Sequence, residues 1–142
     1  MSETTPETFG PRPFEDTDTP AGWHARFQGE QYAYGYPLNS SSIIYEAERV
    51  VKSGPGTLYG FSVYNSNASA QFVLVFDADG TGALTSSSVP RMVYNAQGSS
   101  TLGVYWGVVG RAFSRGIIIA NSSTGPTFTA GSADCWFDAQ YV

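Results

Sequence analysis

Charge is scarce in this chain: only 13% of its 142 residues are Asp, Glu, Lys or Arg, twelve acids against seven bases. The net charge of −5 argues against binding nucleic-acid phosphates or an anionic membrane surface. Cysteine is nearly absent. With Cys135 alone, neither an internal disulfide nor a cysteine metal cage can form, and its place in an apolar run predicts an inert buried thiol. Histidine also occurs once, as His24, far in sequence from any obvious nucleophile. There is no G-x-S-x-G, phosphate loop, dinucleotide fingerprint or His/Cys/Asp metal spacing. The acids Glu46, Glu48, Asp77, Asp79, Asp134 and Asp138 could pair in space as a glycosidase requires, but no spacing directs them to. The expectation is a protein that is not an enzyme and holds no cofactor. No stretch approaches the ~18 apolar residues of a membrane span. The opening MSETTPETFGPRPFEDTDTP lacks both the basic start and the apolar run of a signal peptide. Without a sign of secretion, the N-x-S matches at Asn39, Asn67 and Asn121 carry little meaning.

What is abundant points to strands. Hydrophobic residues make up 42% of the chain, aromatics 15%, and there are sixteen glycines, the composition of short strands joined by tight turns. Strands are predicted over residues 49–53, 57–65, 71–77, 89–94, 100–106, 116–120, 127–130 and 135–141. In 57–65, Tyr59, Phe61 and Val63 fall on one face; QFVLVFD is apolar on both faces, which suits a central strand covered on two sides. The last strand alternates, with Cys135, Phe137, Ala139 and Tyr141 opposite Trp136, Asp138 and Gln140. The single candidate helix is SIIYEAERVVK, residues 42–52, and a strand preceded by a short helical turn is the favoured alternative. The fold class is all-β: an antiparallel two-sheet sandwich, jelly-roll-like, with an extended N-terminal arm. Strand order does not follow from the pattern.

The arm is residues 1–38 and the sandwich residues 39–142. The arm holds five of the eight prolines and six of the twelve acids. Its aromatics, Phe14, Trp23, Phe27, Tyr32, Tyr34 and Tyr36, are costly to leave in water, so they are candidate anchors on another surface. That surface is the chain's own domain or a neighbouring subunit, and a first pair of strands in the same sheet remains an equal alternative.

Two further features invite a functional reading. Asp77-Ala-Asp79-Gly-Thr-Gly82 has the D-x-D-x-x-G spacing of a calcium loop. An EF-hand, however, would need a bidentate acid at its twelfth position, where Ser88 stands, and flanking helices. The favoured reading is a turn at a strand end, with Gly80 and Gly82 supplying positive φ and calcium at Asp77 and Asp79 as the lesser alternative. Arg111 and Arg115 bracket Phe113 in a glycine-punctuated loop, where they could meet an acidic partner.

Several segments carry a family resemblance: VVKSGPGTLYGFSVYNSNASAQFVLVFD (Val50 to Asp77) and GRAFSRGIIIANSSTGPTFTAGSADCWFDAQYV (Gly110 to Val142). Through them the C-terminal two thirds resemble a group of small structural proteins of tailed bacteriophages. The resemblance implies a virion component, a capsid decoration (cement) protein on the outer surface of the head or a related tail or fibre component. The expected partners are the major capsid protein and further copies of this chain, a trimer being favoured, with no nucleic acid and no membrane. The expected location is the outer capsid surface, after synthesis in the host cytoplasm. The alternative function is a receptor- or glycan-binding module of a tail or head fibre. In the group, the segment after the Phe-Asp strand varies freely, which removes the resemblance as support for an ion site at Asp79.

Overall fold

The computed structural model describes residues 37–142. They form nine strands: β1 (Leu38–Ser41), β2 (Glu48–Lys52), β3 (Gly56–Asn65), β4 (Gln71–Phe76), β5 (Met92–Ala96), β6 (Ser100–Tyr105), β7 (Arg111–Phe113), β8 (Ile117–Ser122) and β9 (Cys135–Tyr141). The described residues contain no helix. Every pairing is antiparallel. The first sheet runs β1-β9-β3-β6, with β7 also on β3, and the second runs β2-β8-β4-β5. β6 pairs with Gly60–Asn65 and β7 with Gly56–Leu58, so the two lie end to end along one edge of β3. Counted as one interrupted strand, they complete a nested pattern in which first pairs with last, second with second-to-last, and so inward. This is the jelly-roll order, and the all-β sandwich expected from the sequence is the fold.

Each long apolar run is explained by what lies on its two faces. Between the sheets sits the main core, with Leu58, Phe61, Val63, Val73, Val75, Ile117, Ile119, Cys135 and Phe137 at its centre. The outer face of the second sheet has its own smaller core of Leu74, Phe76, Ile118, Ala120 and Phe128, with Phe72, Ala78 and Leu84 against it. Two connections, residues 77–91 and 123–134, supply the covering side chains. That is why QFVLVF and III carry no polar alternation: their strands are buried on both sides. The first sheet keeps the alternation of a one-sided strand, and in β9 Cys135, Phe137 and Ala139 point inward while Trp136 is exposed.

Several boundaries differ from the sequence reading. Residues 42–47 form no helical turn; they are an irregular crossing between sheets, fixed by the bridge of Glu46 to Cys135. Leu38, assigned to the arm by sequence, pairs with Tyr141 at the start of β1. Tyr59 is not on the Phe61–Val63 core face. Gln140 pairs with Gly60 and Tyr141 with Leu58, so Tyr59 is the extra residue of a bulge and Leu58 takes the core position. Residues 127–130 are no strand: Ala130 makes an isolated bridge to Ser122, and Phe128 is inserted edge-on against Phe76, centroids 5.7 Å apart. Arg111 lies in strand β7, not in a loop. Gly80 has a φ of 85°, but Gly82 has no positive φ.

Candidate functional site

The antiparallel order gathers the connections at two rims. Residues 53–55, 77–91 and 114–116 share one rim, and Asp77 is its fastener. Its Oδ1 accepts from the backbone N–H of Arg115 at 2.8 Å and of Gly116 at 3.3 Å. Its Oδ2 accepts from Ser114 N–H at 3.1 Å and Ser114 Oγ at 3.0 Å. Arg91 Nη1 lies 3.2 Å from the same Oδ2. Partial desolvation pushes the carboxyl up, but the backbone donors of Arg115 and Ser114 outweigh it and bring the pKa down to about 2. Asp79 instead closes its own turn, accepting from Thr81 N–H at 3.0 Å and Thr81 Oγ1 at 2.7 Å, and these bonds lower its pKa. Both acids of the D-x-D pattern thus hold backbone in place. Among the described residues no group of three His, Cys, Asp or Glu is placed to hold a metal.

The two arginines do not converge. The Arg111 guanidinium stacks over Trp106 at 5.3 Å and donates to the Gly110 carbonyl at 3.2 Å. Arg115 serves Asp77 through its backbone, and Arg91, not singled out by sequence, is the one that stacks on Phe113, at 5.1 Å. The anchors Phe14, Trp23, Phe27, Tyr32, Tyr34 and Tyr36, and His24, lie outside the described residues.

The opposite rim collects residues 42–47, 66–70, 97–99 and 123–134, tied by Ser66 N to Asp134 O, Ser99 N to Asn67 O and Asn121 N to Ala47 O. Here polar residues close the mouth of the sandwich. The Asp134 carboxylate accepts from Asn67 Nδ2 at 3.0 Å, Gln71 Nε2 at 3.2 Å and Asn121 Nδ2 at 3.0 Å. Beside it, the fully buried Asn65 donates to the carbonyls of Ser69, Ala96 and Gln97 and accepts from Asn67 N–H. Cys135 lies directly beneath, its thiol pushed up to about 12 by burial and by the Asp134 charge, so it stays protonated. The sequence reading missed this cluster. Its signal was a shared position: Asn65, Gln71, Asn121 and Asp134 each stand at the end of an apolar run, all at one rim. Above the cluster lies a cavity of about 310 Å³ lined by Asn67, Ser69, Ala70, Gln71, Ser123, Ala130, Gly131 and Ser132.

Large apolar side chains on the outside form the third feature. Ile43 is 89% exposed and Ile44 65%, in the crossing after β1, while Val108 and Val109 are 89% and 81% exposed at the tip between β6 and β7. That tip is shaped by Gly107 and Gly110, with φ of 75° and 69°. On the outer face of the first sheet, Trp136 and Tyr64 stand in register, and Tyr45 meets Trp136 edge-on at 5.7 Å. Comparison with protein-family models, curated proteins and solved structures finds no match.

Proposed function

We propose that the chain is a virion structural protein, a capsid decoration protein that binds the outer surface of an assembled head and stabilises the junctions between major capsid subunits. The observation carrying this reading is the pairing of closed cores with uncovered aliphatic tips. Ile43-Ile44 and Val108-Val109 protrude from a domain whose two cores are already sealed. Such side chains serve a macromolecular surface better than a small substrate. The jelly-roll order and the phage resemblance agree with it. A protein that binds only the assembled shell stabilises it by mass action, without catalytic chemistry. The arm would extend the contact area, its aromatics offsetting the entropy lost on docking.

The test is to incubate purified protein with undecorated heads and count copies per particle. A saturable count matching capsid symmetry supports the reading, and absence of association sinks it. A chain lacking residues 1–36 is expected to stay folded but to lose capsid binding; undiminished binding removes the arm from the proposal.

A second reading, a receptor- or glycan-binding module of a tail or head fibre, is favoured by the exposed Trp136–Tyr64 pair, because flat aromatics suit sugar faces. Binding to host cells without binding to heads would select it.

A further inference from the structure

Register alone fixes the layout of the first sheet's outer face. Alternation turns Trp136, Asp138 and Gln140 of β9 outward, and pairing sets them beside Tyr64, Ser62 and Gly60 of β3. Across β3 the same three rows end on Thr101, Gly103 and Tyr105 of β6. Aromatic rings therefore stand at both ends of the face. At one end Trp136 is paired with Tyr64 and met edge-on by Tyr45. At the other, Tyr105 is 73% exposed and its ring leans over Gly60, with Cδ1 2.9 Å from where a β-carbon would stand. The middle row between them is low: Ser62 pairs with Gly103, where a β-carbon would meet open space. Along the flank, Ser41 donates to Asp138 Oδ1, and Gln140 Nε2 donates to Asn39 Oδ1 at 3.0 Å. Among the described residues, Asp138 Oδ2 receives only a long bond from Gln140, at 3.4 Å.

We infer that this trough is a binding site for a short neutral oligosaccharide. Its sugar rings lie on Trp136–Tyr64 and on Tyr105, and its hydroxyls turn to Asp138. A sugar ring has apolar C–H faces and a rim of hydroxyl donors, and the trough sets flat aromatic rings beside a carboxylate acceptor. Asp138 is the one charged side chain of these rows, so an acidic glycan would be repelled. A protein partner needs more room. Three strand spacings by four residues of rise give about 14 Å each way. That is roughly 200 Å², against ~800 Å² on each side of a stable interface. The inference rests on the glycan-binding reading and gives that reading its site and ligand class; the capsid reading does not depend on it.

The experiment is an NMR titration of the isotope-labelled full chain with cellotriose, tri-N-acetylchitotriose, maltotriose and the acidic trigalacturonate. Saturable shifts are expected at the Trp136 indole N–H and the amides of residues 60–64, 101–105 and 136–140, with a neutral trisaccharide and not with trigalacturonate. Tyr105→Ala is expected to weaken binding roughly fivefold. Gly103→Ile, which fills the floor from an open strand position, should keep its melting temperature and lose the response. Binding to host cells before and after periodate oxidation of their sugars tests the glycan reading separately. Shifts that map elsewhere, an undiminished response in Gly103→Ile, or an equal response to trigalacturonate overturns the site alone. So does periodate-sensitive cell binding with no shift on this face. No response to any trisaccharide and no periodate-sensitive binding overturns both. Shifts at these residues that follow protein concentration without added sugar assign the face to a second copy and overturn the inference.

Discussion

At the scale of the residue, Asp77 is where chemistry and stability meet most directly. Its carboxylate collects four hydrogen bonds from residues 114–116 and one ion pair, and its pKa falls from 3.8 to about 2. A folded-state pKa below the unfolded value means that the stabilisation is complete above the unfolded pKa. It is lost as the pH drops through the folded one. Urea denaturation at stepped pH should therefore show stability declining from about pH 4 towards pH 2, with a smaller decline in Asp77→Asn. At neutral pH, Asp77→Asn is expected to lower stability by about 1–3 kcal/mol, since the amide keeps a single acceptor oxygen, turns an NH2 towards the donors of the other oxygen, and loses Arg91. A variant with unchanged stability and an unchanged acid profile would show that the 114–116 turn holds itself. The D-x-D spacing was visible in the sequence; what it does was not. An aspartate that caps a turn 37 residues downstream looks, in one dimension, the same as an aspartate awaiting calcium.

At the scale of the element, the segments that misled the sequence reading are those whose partners are remote. TFTA has strand composition, yet its phenylalanine is the lid of the outer core of the second sheet. Replacing Phe128 by alanine is expected to cost about 3 kcal/mol. It should also raise binding of a hydrophobic dye, because Leu74, Phe76 and Ile118 lose their cover; dye binding equal to wild type would show that the 77–91 connection suffices. Tyr59 was placed on the wrong face because a bulge shifts the two-residue period by one, and only the partner strand reveals a bulge. By contrast, β9 was legible residue by residue, since one side faces the core and the other is open. At the tip between β6 and β7, two glycines with positive φ make a graded test. A methyl group at Gly107 meets open space, whereas one at Gly110 would press on Thr57 Cγ2 at 2.6 Å and Leu58 O at 2.9 Å. Gly107→Ala is expected to cost about 1 kcal/mol from backbone strain alone, and Gly110→Ala clearly more. Thermal melts that reverse this order would contradict the packing at β3.

At the scale of the whole molecule, the nested pairing places β1 beside β9, so residues from opposite ends of the domain, such as Leu38 and Tyr141, must meet. Such topologies close their loops late and fold slowly. Refolding followed through Trp106 and Trp136 fluorescence is expected in the millisecond-to-second range, and a microsecond phase carrying the full amplitude would be inconsistent with it. The fold class was readable because apolar runs, turns and the scarcity of helix all agreed. The strand order was not, since many nested arrangements satisfy the same alternation. The rim cluster escaped for a related reason: its members are spread from Asn65 to Asp134 and become neighbours only when both sheets are in place.

The two sheets also differ in what they leave over. The outer face of the second sheet lies beneath two connections and a phenylalanine. That of the first carries no buried apolar cluster among the described residues; the aromatics Tyr45, Tyr64, Tyr105 and Trp136 stand there among small and polar side chains around Ser62, Gly103 and Asp138. The domain therefore has a front and a back. A label on Gly103 and one on Leu84 would report opposite faces of the sandwich.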